Sequence, residues 1–544
     1  VLGANVTEEQ NVVAVPIKRA VGNGSNLIVI DPREVELTRY ANIWLRPKPG
    51  TDVTLLAGLL KVIVDEVLED EQFLKDNCVN LDSLKNSLWR FDLNKVEDAT
   101  GVAKDDIRNA ARMFANSNAA SIVYALDTVS RAQHRDCASA VIDLALVTGN
   151  IVRRGAGIMP LRSGTNAQGS WDVGCVPHLL PGYRSVDDSD ARLEIMESSG
   201  SPSPDAKGLG VTEVFGAIDS GNVKAMLIIG DNPNFYNGEL GDVLGSAKKL
   251  DFLVVQDVFL TGLAEMADVV LPSATFAEKE GTYTSLERRV QPLKKILELQ
   301  NTQAMPDWWI LCQIAQAMGM PGFTFHCPAE ILDEISKLVW QYSGITYQRM
   351  VANQEVEQLV LVPSFPLPSQ LLPSKGGRNL GIQWPCISSE HVGTPTLYSE
   401  GFPNGTARLI PLEINVNDDA GFTTTDEYPL LLLQGRVLYQ SQRQMEISVY
   451  DKKNHIQREE IIEIGKTDAS TFGVIEGDMV EIASSNDSIS GILQIKDEIF
   501  PGTVRTTSLF GELMTDLDGS DNPDPMSYVP TLALKPVRLS KITD

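Results

Sequence analysis

The chain has 544 residues, which at about 150 residues per domain suggests three or four domains, each long enough to bury a core. Hydrophobic residues make up 43% and charged residues 22%, an ordinary globular balance that argues against long disorder. Lys and Arg total 46 against 72 Asp and Glu, and the resulting net charge of −26 disfavours a phosphate-tracking nucleic-acid groove or a basic membrane patch.

From the N-terminus, Val1-Leu2-Gly3-Ala4-Asn5 reads as the end of a strand whose beginning is missing, so the chain is expected to be the C-terminal portion of something longer. Leu27–Ile30 is a continuous apolar strand ending at Asp31-Pro32. Thr51 and Asp52 make an N-cap signal for a helix carrying Leu55, Leu56, Leu59, Leu60, Ile63 and Val64. Gly58 and Lys61 interrupt that apolar run, and nothing approaches the ~18–20 residues of a membrane span. Ile107, Ala110, Ala111 and Phe114 mark a second helix, Ser121–Leu126 a strand, and Ala138–Val147 a buried helix stopped at Gly149-Asn150. Lys224–Gly230, Phe252–Gln256 and Asp268–Leu271 read as three further strands. This alternation predicts parallel sheets with crossover helices. Trp308–Met318 and Ala329–Trp340 read as helices, and Val362–Ser374 as a long irregular excursion. From Tyr428 the period becomes two, at Leu430–Leu433, Ile461–Ile464, Met479–Ile482, Ile489–Ile495 and Val504–Ser508, which predicts a small barrel.

The six cysteines are scattered without a Cys-x-x-Cys pair, so neither a disulfide scaffold nor a local metal or iron–sulfur site is expected, and no metal ligand is assigned. An internal repeat carries more information. Asp31 follows Gly3 by 28 positions (31 − 3), and Asp257 follows Gly230 by 27 (257 − 230). Ala41 and Ala267 then each stand 10 positions further on (41 − 31; 267 − 257). Gly3-Ala4-Asn5 and Gly230-Asp231-Asn232 are elbows that let backbone approach a phosphate, although neither completes a G-x-G-x-x-G. An acid at the next strand's tip can read a ribose diol, or accept two parallel hydrogen bonds from a guanine edge. The segment from Met159 to Gly174 has neither helical nor strand period, yet it packs Arg162, Asn166, Gln168 and Asp172 among glycines, with Trp171 and Val173 pointing to partial burial. Such polar loops line sites.

On these blocks the chain resembles the molybdopterin oxidoreductases that bind two molybdopterin guanine dinucleotides, and within them the formate dehydrogenase catalytic (alpha) subunits. The resemblance rests on Asp31-Pro32-Arg33, Pro49-Gly50-Thr51-Asp52, Leu146-Val147-Thr148-Gly149-Asn150 and the loop from Arg162 to Gly174. It continues through Gln256-Asp257-Val258-Phe259, Ala267-Asp268-Val269-Val270-Leu271-Pro272, Glu280-Gly281-Thr282, Gln383-Trp384-Pro385-Cys386 and Gly435-Arg436-Val437-Leu438. It implies an α/β fold with two pseudo-symmetric dinucleotide-binding domains and a C-terminal β-barrel of double-psi type. The domains would span 1–163 and 164–300, then a helical or irregular connecting region 301–424, then the barrel 425–544. Gly3, Asn5, Asp31, Arg33, Gly50 and Asp52 would serve one dinucleotide, and Gly230, Asn232, Gln256, Asp257 and Thr261 the other. Asn166, Gln168, Gly281, Arg436 and Gln440 join the cofactor-binding set, and Arg162 falls on the arginine that faces substrate.

The family's Arg-Gly-Gln-Asn-Asn reads Arg162-Ser163-Gly164-Thr165-Asn166 here, a Gly-Val-Thr-Gln stretch reads Asp127-Thr128-Val129-Ser130, and a histidine is replaced by Gln440. The implied activity is formate oxidation, or its reverse, at molybdenum or tungsten. Electrons would pass to a 4Fe-4S cluster bound by a missing N-terminal segment and on to an iron–sulfur electron-transfer subunit. Two alternatives stand: a non-catalytic, electron-wiring large subunit of a complex-I-like NADH dehydrogenase assembly, or a molybdopterin enzyme for another small oxyanion. No nucleic acid and no direct membrane span are expected. The expected compartment is the cytoplasm, with an exported, membrane-associated complex as the alternative.

Overall fold

The computed structural model describes residues 1–125, 129, 133–162, 165–200, 203, 205–230, 243–298, 302–350, 381–414, 424–434, 461–484, 488–506 and 535–542. These fall into two compact units. The first takes in the described residues up to Leu161 together with those from Thr396 onward, and the second those from Arg162 to Pro395.

In the first unit, Ile28–Ile30 pairs in parallel with Ile43–Leu45, and Ser121–Tyr124 in parallel with Gly157–Pro160. Leu2 joins the two pairs by parallel bridges to Ile30 on one side and Tyr124 on the other. Taken in chain order, the five segments lie 3-2-1-4-5 across the sheet. That is a doubly wound order, and its switch point falls beside Leu2, so the crevice for a ligand opens at Gly3. Helix Asp52–Asp65 buries nearly its whole surface between Lys104–Ala115 and His134–Val147. Thr51 does occupy its N-cap, but its hydroxyl donates to the Lys48 carbonyl at 2.7 Å instead of accepting from the helix. Gly58 allows the closest packing: a Cβ there would meet Val96 Cγ1 at 2.9 Å.

The barrel belongs to this unit. Six strands close in the order Leu430–Gln434, Thr503–Thr506, Ile461–Ile464, Ser488–Ile495, Met479–Ala483 and Lys535–Lys541. Leu430, Leu432, Ile462, Ile464, Val480, Ile482, Leu493, Val504, Val537 and Leu539 fill it, as period-two patterning requires. The segment before the barrel is not loose. Ala407–Arg408 pairs in parallel with Cys78–Val79, and Leu409 and Leu412 enter the helical core.

In the second unit, Ala225–Ile229, Phe252–Asp257 and Val269–Pro272 form a parallel sheet with the middle segment central. Gly281–Thr284, Arg289–Leu293 and Ile382–Gln383 form an antiparallel sheet. Beside it, Val290, Leu332, Val339, Tyr342, Ile345, Met350, Ile382 and Cys386 make a core. One expectation is corrected here. Within 159–174, Gly157–Pro160 is a strand that runs into the segment, and Ala167–Asp172 is a short helix. Six residues hold less than two helical turns, so no periodicity can announce them. The excursion expected at Val362–Ser374 lies outside the described residues. No helix among the described residues is long and apolar enough to cross a membrane.

Candidate functional site

Each unit carries one elbow, and the two are built alike. After its strand, Gly3 turns with φ +56° and its N–H donates to the Ile30 carbonyl at 2.8 Å. Gly230 turns with φ +61° and its N–H donates to the Gln256 carbonyl at 2.8 Å. Left-handed φ is what glycine tolerates without strain. In both elbows the acceptor is the residue just before the tip aspartate. Asp31 Oδ1 accepts from the Arg33 N–H at 2.8 Å, and Asp257 Oδ1 from the Phe259 N–H at 3.0 Å. Asn42 and Asp268 likewise cap their neighbouring strands, accepting from the N–H of Leu27 at 2.8 Å and of Leu253 at 2.7 Å. The spacing repeat is therefore a repeat of hydrogen bonds.

The elbows differ at the carboxylate. Arg33 closes a fork on Asp31, Nε to Oδ1 and Nη2 to Oδ2, both at 3.0 Å, with both residues buried. The two-point acceptor edge that could read a guanine is thus already engaged by a guanidinium. Asp257 has Phe259 at the matching position, so it has no such fork from two residues on. Gln256 beside it is fully buried; its Nε2 donates to Asp307 Oδ1 at 3.0 Å, while its Oε1 has no hydrogen-bond donor among the described residues. Burial pulls the Asp307 carboxyl upward, but bonds from Lys279, Ser273 and Gln256 outweigh it and hold the group below the usual range. Thr261 caps helix Gly262–Met266, its Oγ1 accepting from the Ala264 N–H at 3.2 Å.

Around the first elbow, Asn5 is buried and its Oδ1 accepts from Thr7 Oγ1 at 3.1 Å. Gly50 turns with φ +79°, and buried Asp52 opens the helix that follows. Arg46 ties this region to the barrel. Its Nε donates to the Pro32 carbonyl at 3.1 Å, its Nη2 to the Glu498 carbonyl, and its guanidinium lies 5.4 Å from the Trp44 ring and 5.2 Å from the Phe500 ring.

The polar loop lies in the second unit. Arg162 stacks over Trp171 with its guanidinium carbon 4.9 Å from the ring centroid, and His178 meets that ring edge-on at 6.3 Å. Asn166 Oδ1 accepts from the Thr284 N–H at 2.8 Å. Gly169 makes room for this, since a Cβ there would meet Asn166 Oδ1 at 2.2 Å. Gly281 offers its carbonyl to the Tyr347 hydroxyl. Asp172 is fully buried, and its Oδ2 accepts from the Tyr342 hydroxyl at 2.7 Å. Burial pushes its carboxyl up to about 6, opposed by Tyr342, Tyr183, Gln168 and the Arg162 charge. Burial and the neighbouring carboxylate raise the Tyr183 and Tyr342 phenols far above their ordinary value, so both stay protonated donors.

Tyr342, Tyr183 and Thr284 are functional-site candidates that sequence reasoning missed; only Asp172 lay within the marked loop. Asn232, Arg436 and Gln440, and all of Asp127–Ser130 except Val129, lie outside the described residues. Among the described residues no group of His, Cys, Asp and Glu is arranged to hold a metal ion, and all six cysteines are free.

Comparison with known proteins places this geometry. The profile of the family described as Molybdopterin oxidoreductase matches residues 1–317, and that of the Molydopterin dinucleotide binding domain matches residues 430–532. Over its full length the chain is 32% identical to the F420-dependent formate dehydrogenase 2 subunit alpha of Methanococcus maripaludis, covering 76% of that protein. It is 30% identical to formate dehydrogenase H of Escherichia coli, again over its full length and 73% of that protein. The solved structure of acetylene hydratase from Pelobacter acetylenicus shares the fold, with a TM-score of 0.69 at 20% identity over 99% of this chain and 77% of that one. Two matching elbows, a closed terminal barrel and a profile match over more than half its length make this chain a member of the molybdopterin oxidoreductase family, ending in a molybdopterin dinucleotide-binding domain.

Proposed function

We propose that this chain is the pterin-binding body of a formate dehydrogenase alpha subunit, converting formate to carbon dioxide with release of one proton and two electrons. The observation that carries the reading is Arg162, held on Trp171 in the polar loop of a chain that matches formate dehydrogenase alpha subunits along its whole length. Guanidinium is the side chain that meets a small carboxylate with a two-point fork at any physiological pH.

The residues fit two molybdopterin guanine dinucleotides. Gly3 and Gly230 leave the strand ends open to close approach of a phosphate. Gln256 Oε1 is a buried acceptor without a donor among the described residues, on the strand whose neighbour in sequence, Asp257, forms the tip of the second elbow. Such an orphan costs about 1–3 kcal/mol, which a bound donor would remove. Asn5, Asp31, Arg33, Gly50 and Asp52 would line the first elbow, with Asn232, Asp257 and Thr261 at the second. Asn166, Gln168 and Gly281, with Arg436 and Gln440 of the barrel's entry, complete the proposed set. When bound, the molybdenum or tungsten centre supplies the two-electron redox chemistry. Arg162 would neutralise the formate charge and fix its orientation, and Trp171 would hold that guanidinium while excluding water from one face. The 4Fe-4S cluster would belong to sequence preceding residue 1, and an iron–sulfur subunit would take the electrons.

The test is formate-dependent reduction of a viologen dye by the complete protein, with metal and released GMP measured on the same sample. Two GMP per chain and formate turnover are expected. In samples of matched metal and pterin content, Arg162→Ala should lower kcat/KM roughly 10²–10³-fold. Unchanged kcat/KM in that variant, or no formate turnover by replete wild type, would refute the reading.

A further inference from the structure

We infer that Asp172 is a positioning residue: its buried charge, braced by Tyr342 and Tyr183, sets the orientation of the Arg162 guanidinium over Trp171. The inference rests on the reading of Arg162 as the anion anchor. It concerns a residue that touches neither substrate nor cofactor in that reading.

The argument begins with burial. A fully buried carboxylate at the end of a short helix is costly, and the helix's carboxyl end adds to the cost. Its oxygens are unequally served: Oδ2 accepts from Tyr342 at 2.7 Å, whereas Oδ1 has no donor within hydrogen-bond distance and angle among the described residues. A carboxylate kept purely for packing would be better replaced by an amide or an apolar group. Retention makes sense if the charge acts on something. The facing cation is Arg162, whose field favours the ionised form of both Asp172 and Tyr183. By reciprocity, an ionised Asp172 acts on the Arg162 guanidinium, which stacks on Trp171, the residue immediately before Asp172.

The bracing is specific. The Tyr342 hydroxyl also meets Thr284 Oγ1 at 2.8 Å, and the Thr284 N–H holds Asn166, four residues after Arg162. Tyr183 sits in the left-handed region at φ +63°, where a bulky residue is strained by about 1 kcal/mol or more. That backbone turn is maintained with its phenol directed at Asp172. One chain of contacts thus runs from Asp172 through Tyr342 and Thr284 to Asn166 in the same loop. The charged or titrating groups that act on Asp172 are Arg162, Tyr183 and Tyr342, and His178 lies against the far partner of Arg162, the Trp171 ring.

The experiment reads Trp171 directly and needs no cofactor. The fluorescence of the full chain minus that of Trp171→Phe is followed over the acid-to-neutral range. A transition near pH 6 is expected in wild type, from ionisation of Asp172. It should persist in His178→Gln, vanish in Asp172→Asn, and move to higher pH in Arg162→Gln, because loss of the cation removes a force that favours the carboxylate. Should Asp172→Asn not fold, Tyr342→Phe also moves the midpoint upward by removing a donor. A transition that vanishes in His178→Gln, or a midpoint unmoved by both Arg162→Gln and Tyr342→Phe, overturns the inference. In the cofactor-replete enzyme, Asp172→Asn should lower kcat roughly tenfold without raising the KM for formate, since the anchor keeps its charge and loses only its aim. A rise in KM with unchanged kcat would count against positioning. The fluorescence result stands whether or not formate is the substrate, so the two readings can fail separately.

Discussion

Replacing Asp143 with asparagine should stabilise the protein at about pH 8 and have little effect at about pH 4. Asp143 lies in helix His134–Val147, fully buried, and both its oxygens face the Ile410 N–H at 3.3 Å, too long for a strong bond. Burial pushes the carboxyl from its ordinary 3.8 up to about 7, against the small opposing pull of that N–H. The folded state therefore holds the proton more tightly than the unfolded chain does. Protonated Asp143 costs nothing below about pH 4, and its penalty grows as pH rises to about 7 and is then constant. A rise from 3.8 to about 7, at about 1.4 kcal/mol per pH unit, sets a ceiling of about 4 kcal/mol, and local relaxation brings the expected value to about 2–4 kcal/mol. The amide side chain of the variant would keep an acceptor for Ile410 and carry no charge. Calorimetric unfolding of wild type and Asp143→Asn at the two pH values checks this. The variant should unfold at a higher temperature on the alkaline side, with the difference shrinking towards zero on the acid side. An equal shift at both values, or a loss at the higher one, would mean that the ionisation penalty is absent and that the Ile410 contact itself is what Asp143 contributes.

Further outcomes follow from single contacts. Arg46→Ala removes two backbone hydrogen bonds and two ring contacts between the Pro32 turn and the barrel loop, and should cost about 2–3 kcal/mol, read as earlier loss of protection from hydrogen exchange at 498–500. Leu493→Ala opens a cavity at the barrel centre and should cost about 2–5 kcal/mol, seen as a lower urea midpoint for the barrel's transition. Gln256→Leu gives up one hydrogen bond to Asp307 but also removes an orphan acceptor, so apo stability should change by less than about 1 kcal/mol while GMP released from the complete protein falls.

Local elements and the two elbows were legible in the order of residues alone. Helix Asp52–Asp65 and the strands at 225–229, 252–257 and 461–464 follow from apolar periods that a chain can satisfy only as helix or strand. The elbows could be read because a glycine and an aspartate at a repeated spacing encode one turn of backbone, and the same hydrogen bonds recur in both. Even the Asp31–Arg33 fork spans only two residues, although nothing local says whether Arg33 folds back onto the carboxylate or away from it. Whatever acts at a distance emerged only in the folded chain. Tyr342 reaches Asp172 across 170 positions, Arg46 reaches Glu498 across 452, and Ile410 reaches Asp143 across 267. The ionisation of Asp172 and Asp143 depends on exclusion of water by residues far along the chain, and no composition or spacing reports that. The short helix Ala167–Asp172 belongs here too, because it is held by Thr284 and Tyr342 and not by a period of its own.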